Sequence, residues 1–92
     1  MNAPDFLRSI VDALIPDTPY SLTATRSGRM HILTLDVPNG PARGIVLGRG
    51  GETLNALRRI LTAFTGSRGE TVTIYFNTES KESSNVRSEL AQ

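Results

Sequence analysis

Three glycines fall within four positions at 48–51, "GRGG", and an amphipathic helical pattern begins directly after them. Glycine loses more conformational entropy on folding than any other residue and brings no side chain to pack, so such a cluster marks a place where bare backbone is needed. The first turn of a helix presents N–H groups without intrahelical partners and a partial positive charge. Glycines and helix start together predict an anion site, and a phosphate is the group that fits it. Arg49, set between the glycines, adds a planar fork of donors suited to phosphate oxygens.

The periodicities on either side of this loop set the architecture. Phe6, Leu7, Ile10, Val11, Leu14 and Ile15 recur at helical spacing between Pro4 and Pro16 and predict an amphipathic first helix. Residues 20–25, "YSLTAT", alternate Tyr20, Leu22 and Ala24 against hydroxyl residues, the period of a half-buried strand. "RSGR" at 26–29 is turn chemistry, and 30–37, "MHILTLDV", reads as the hairpin partner with Leu33, Leu35 and Val37 inward. "PNGPARG" at 38–44 predicts a loop, which leaves only a brief helix or turn at 45–47. Beyond the glycines, Leu54, Leu57, Ile60, Leu61 and Phe64 share one helical face and Gly66 closes the helix. Residues 70–76 alternate Val72, Ile74 and Phe76 against Thr71, Thr73 and Tyr75, a third strand. From 77 to 92, "NTESKESSNVRSELAQ" is too polar to bury much and predicts a tail, disordered or weakly helical, so that 3–76 forms the domain. This order predicts an α+β fold with helices packed on one face of a three-stranded sheet.

Charge sharpens the functional reading. The net formal charge is only +1, yet between Arg26 and Arg68 seven arginines face two acids, Asp36 and Glu52. A basic centre of this kind is the footprint of a polyanionic partner. The chain lacks cysteine, which excludes a disulfide framework and thiolate metal sites. Asp5 and Asp12 interrupt the amino-terminal stretch, so neither a signal peptide nor a membrane span is expected, and a cytoplasmic setting is. "GRGGET" lacks the Lys-Ser/Thr pair of a P-loop, and its spacing is wrong for a dinucleotide fingerprint. His31 has no cysteine or second histidine to complete a metal site and reads as a satisfied sheet histidine. No serine has a base partner at hand, so neither catalysis nor a cofactor is expected.

"GIVLGRGGETLNALRRIL" resembles the core of the KH domain: an aliphatic pair, Val46 and Leu47, then the G-x-x-G tetrapeptide Gly48, Arg49, Gly50 and Gly51, then a helix opening on Leu54. The element order is similar to the type II form (α-β-β-α-α-β), and residues 3–76 resemble the small single-domain KH proteins of bacteria known as KhpA-like. That resemblance implies single-stranded RNA as ligand, with the loop clamping the backbone of about four nucleotides. It also implies that Leu47, Leu54 and the edge of the 30–37 strand line a groove for bases, with Arg43 and Arg58 beside them. An accessory, RNA-chaperone-like role is implied, as is pairing with a second copy or with a KhpB-like partner. Glu52 and Ile45 stand where basic residues are frequent in the family, which implies weak affinity. The alternative is a protein-interaction module that dimerises or docks through the 51–65 helix surface or through the loop itself.

Overall fold

Asn2 starts the first helix, α1 (Ala3–Leu14): its side-chain oxygen accepts the Asp5 N–H at 2.9 Å, and a proline occupies the first turn. Ala3, Leu7, Val11 and Ile15, each four residues apart, form the buried stripe. The computed structural model describes residues 1–77; the tail expected at 77–92 lies, from 78 on, outside the described residues. After α1 come β1 (Ser21–Ser27), β2 (Met30–Asp36), α2 (Gly40–Leu47), one 3₁₀ turn (Arg49–Gly51), α3 (Glu52–Gly66) and β3 (Thr71–Asn77). No helix among the described residues is long and apolar enough to cross a membrane.

The fold is α+β with a three-stranded mixed sheet in the order β1-β2-β3. β1 and β2 form an antiparallel hairpin over a two-residue turn in which Gly28 takes φ +59°. β2 and β3 are parallel, and the connection between them through α2 and α3 is the crossover that parallel strands need. Register aligns Leu22, Leu35 and Phe76 in one inward row, Ala24, Leu33 and Ile74 in the next, and Arg26, His31 and Val72 in the third. The helices cover this face over β2, β3 and Leu22, leaving Ala24 and Arg26 exposed along β1, while Thr23, Thr34 and Tyr75 lie exposed on the other face.

Two expectations change. The 38–44 stretch is not a loop throughout: α2 begins at Gly40, because the Asn39 side chain caps the Ala42 N–H at 2.9 Å and the following proline sits in the first turn. The apparent breakers are start signals. On α3 the buried stripe is Leu54, Leu57, Leu61 and Thr65, and Ile60, expected inward, is 44 % exposed. One residue before Leu61 is about 100° around the helix, off the side that meets the sheet. Thr65 takes the inward place by donating its hydroxyl to the Leu61 carbonyl at 3.0 Å. Phe64 is half-buried, its ring 4.6 Å from that of Phe6 and 4.0 Å beneath the Arg68 guanidinium.

The hairpin end of the core is polar. Buried His31 donates Nε2–H to Glu70 Oε1 at 2.8 Å, since an ionised carboxylate only accepts, and Arg26 donates to Glu70 Oε2 at 2.6 Å. The histidine is therefore satisfied within the sheet. Arg29 Nη1 donates to the Gly69 carbonyl at 3.2 Å and the Thr71 N–H to the Arg29 carbonyl at 2.9 Å, which fastens the hairpin to the loop that feeds β3. At the other end of α1, the Tyr20 hydroxyl donates to Asp12 Oδ1 at 2.6 Å. Burial and that carboxylate push the tyrosine pKa up to about 12.

Two outcomes follow from this packing. Leu61 is fully buried, so Leu61→Ala should destabilise by about 2–5 kcal/mol in chemical denaturation; a loss below about 0.5 kcal/mol would mean that α3 faces elsewhere. The hydrogen bond from His31, with Arg26 beside it, holds the Glu70 carboxyl below its ordinary 4.5. On acidification the unfolded chain therefore takes up that proton first, and the stabilisation is complete at neutral pH and lost as pH falls through the carboxylate range. The gap in Tm between wild type and Glu70→Gln should accordingly be widest at neutral pH and narrow toward about pH 3.

Candidate functional site

The glycine loop is built from two kinds of glycine. Gly48 ends α2 with φ +78° and ψ 169°, donating its N–H to the Gly44 carbonyl at 2.8 Å. That backbone region is essentially reserved for glycine. A Cβ on Gly48 would also press on the Thr53 hydroxyl and lie 2.6 Å from the Thr53 backbone nitrogen. The chain can fold back onto the first turn of α3 only because nothing projects from Gly48. Gly50 (φ +61°) and Gly51 (φ +81°) are left-handed as well, but a Cβ at either would meet nothing within 4 Å. These two face open space.

The turn is closed by the Gly51 N–H on the Gly48 carbonyl at 3.1 Å and the Glu52 N–H on the Arg49 carbonyl. α1 and α2 are each capped by an asparagine side chain, whereas α3 starts on Gly51 with no side-chain cap. The positive end of α3 therefore meets the open side of the loop without a side-chain acceptor, the Gly48 and Arg49 carbonyls taking the Gly51 and Glu52 N–H groups. Arg49 is exposed at the tip. Glu52, in the first turn, is exposed too and favours its own helix dipole.

The predicted residues separate into those that meet at the loop and those that do not. Leu47, half-buried at the end of α2, and Gly48, Arg49, Gly50 and Gly51 are contiguous there. Leu54 is 5 % exposed and belongs to the core, so its side chain shapes the wall from behind. Arg43 folds back from α2, its Nη1 donating to the Val37 carbonyl at 3.4 Å. Arg58 lies seven residues past Gly51, about 10 Å along α3, and its Nη2 donates to the Ile74 carbonyl on β3 at 3.2 Å.

The strand expected to border the groove is the wrong one. Residues 30–36 form the central strand, paired on both sides, and have no free edge. The edge beside α3 is β3, and between them runs an open cleft of about 400 Å³ lined by Arg58, Thr62 and residues 72–75. Neither this edge nor the close approach of Gly48 to Thr53 has a signal in the sequence, because each depends on how separate segments pack. Comparison with known proteins returns neither a matching family model nor a matching curated protein.

The two kinds of glycine should respond differently to substitution. Gly48→Ala should lower stability by more than about 1 kcal/mol, since both the backbone region and the Thr53 contact oppose a side chain. Gly50→Asn, which places a left-handed-tolerant residue in open space, should leave Tm close to wild type. Equal losses in thermal unfolding would refute this division.

Proposed function

We propose that the chain carries a KH domain of the type II form that binds single-stranded RNA through residues 48–51. The observation that carries this reading is the loop's open backbone: Gly50 and Gly51 hold left-handed conformations at an uncapped helix start, with no atom within 4 Å of where a side chain would be. A phosphate can approach main-chain N–H groups closely there, and Arg49 supplies a neighbouring positive charge. The α+β fold with its mixed sheet is compatible with that family. The motif residues quoted from the sequence, Val46 to Leu54, stand in the helix-loop-helix order the reading requires. An accessory, chaperone-like role suits a site that grips backbone and carries no reactive pair.

A second reading, the protein-interaction module, draws on a different observation. Ile45 on α2 is 51 % exposed and Ile60 on α3 is 44 % exposed, two large apolar side chains on the helical layer. Pairing with a second copy or with a related KH protein would cover them. Salt separates the two readings. Phosphate contacts release counterions, so three of them would cost about 20-fold in affinity for a fourfold rise in salt, whereas an apolar interface would change little.

The test replaces Arg49 and Gly50 together by aspartate. Aspartate tolerates the left-handed conformation, so the double variant should keep a Tm near wild type while its affinity for a single-stranded RNA falls at least about tenfold through lost and reversed charge. Undiminished RNA binding by that folded variant would show that the loop is not the site.

A further inference from the structure

The two edges of the sheet end differently. On β3 the Arg58 side chain donates to the Ile74 carbonyl and so occupies that edge. β1, seven residues long, holds neither proline nor lysine, and its register with β2 runs without a bulge, so it lacks these common devices that keep an edge strand from pairing. Its one charged side chain, Arg26, is held by Glu70 at 2.6 Å. Residues 23–26 are exposed, and the hollow of about 220 Å³ that Asn2 and Pro4 form with Ala24, Thr25 and Arg26 keeps α1 back from this half of the edge.

The hydrogen bonds inside the sheet show which backbone groups stand free. In a strand the N–H and C=O of one residue point to the same side, and alternate residues point to opposite sides. The Thr71 N–H donates to the Arg29 carbonyl at 2.9 Å, so Arg29, His31, Leu33 and Leu35 turn their backbone groups toward β3. Met30, Ile32 and Thr34 turn theirs toward β1, where they meet Ser27, Thr25 and Thr23. Leu22, Ala24 and Arg26 are left, and their backbone donors and acceptors line the open edge of β1.

That row complements itself. In an antiparallel pair of β1 strands centred on Ala24, each Ala24 meets its own copy on the two-fold axis, where a small side chain avoids a clash. Thr23 then stands opposite Thr25 of the second copy, and Leu22 opposite Arg26, so like charges do not face each other. A long side chain also reaches its diagonal neighbour across the strands. For Arg26 that neighbour is Tyr20 of the other copy, beside the Asp12 carboxylate to which the Tyr20 hydroxyl donates at 2.6 Å.

We propose that β1 is a surface through which two copies of this chain pair, edge to edge and antiparallel about Ala24, to form one continuous sheet. Directly opposed residues share a face, so both helical layers, and with them both glycine loops, lie on the same side of that sheet. The surface is separate from Ile45 and Ile60 on the helical layer, and the pairing does not depend on what the loop binds. Two seven-residue strands bury less than the roughly 1,600 Å² of a standard interface, so the dimer is weak and forms reversibly with concentration.

The test follows mass by sedimentation equilibrium from about 10 µM to 1 mM, a range suited to so small an interface. The wild type should pass from monomer to dimer. Ala24→Pro removes an N–H that points away from β2, and Ala24→Lys keeps the backbone but sets like charges face to face on the axis. Both should retain the wild-type circular dichroism and weaken dimerisation at least about tenfold. Register is read by cross-linking, since the chain has no cysteine of its own. Thr23 and Thr25 of opposed copies form a non-hydrogen-bonded pair with Cα atoms about 4.5 Å apart, within disulfide reach. Thr23→Cys and Thr25→Cys proteins, mixed and oxidised, should link at least about fivefold more than either alone. A monomer throughout the range, a dimer that persists in both Ala24 variants, or linking no greater in the mixture overturns the proposal. A dimer that survives both Ala24 variants and is lost in Ile60→Asp would move the interface to the helical layer.

Discussion

Burial of the inward side of β2 is the constraint on which the other elements depend. Leu33, Leu35 and Val37 are fully buried, and each is worth about 1.5–3 kcal/mol relative to exposure. One three-stranded sheet cannot cover that row by itself, so α1 and α3 must lie across it, bringing Leu7, Val11, Leu57 and Leu61 to the same cluster. α2 enters the core through Ala42 and Val46, and its end then has to sit beside the start of α3. The glycine loop is the short link that this packing allows. Its position follows from the core, and its conformation from what must not project where two helices meet.

The loop shows how a fold and a site can share a motif without sharing every residue. Gly48 answers a packing need: the chain returns over Thr53 at a separation no side chain permits. Gly50 and Gly51 answer a conformational need and leave open space in front of the helix. An anion-binding reading draws on the second pair alone. Charge follows the same division, since the arginines nearest the hairpin are engaged with Glu70 and backbone carbonyls, whereas Arg49 remains exposed at the tip.

Much of the architecture was legible along the chain because it is local. The apolar spacing of Leu7 and Val11, the alternation of Leu33 and Leu35, and the paired turn residues near Gly28 each act within a few residues. The misreadings are local signals that compete. Asn39 and the prolines at 38 and 41 look like breakers, yet an asparagine followed by a proline is also how a helix begins, and α2 took that course. Ile60 sits on the rim of an apolar stripe, and whether a rim residue is covered depends on the partner surface, which ends at Leu61 and Thr65.

The sequence by itself determined five regular elements, all but the extent of α2, together with the glycine-rich character of residues 48–51 and the basic surplus around them, since each is read over one or two turns. The tertiary structure alone decided which strand edge is open, because pairing direction depends on how α2 and α3 carry the chain back across the sheet. It also decided that Gly48 serves packing and that Arg58 meets Ile74, sixteen residues away. These are contacts between segments, and no periodicity within one segment encodes the distance to another.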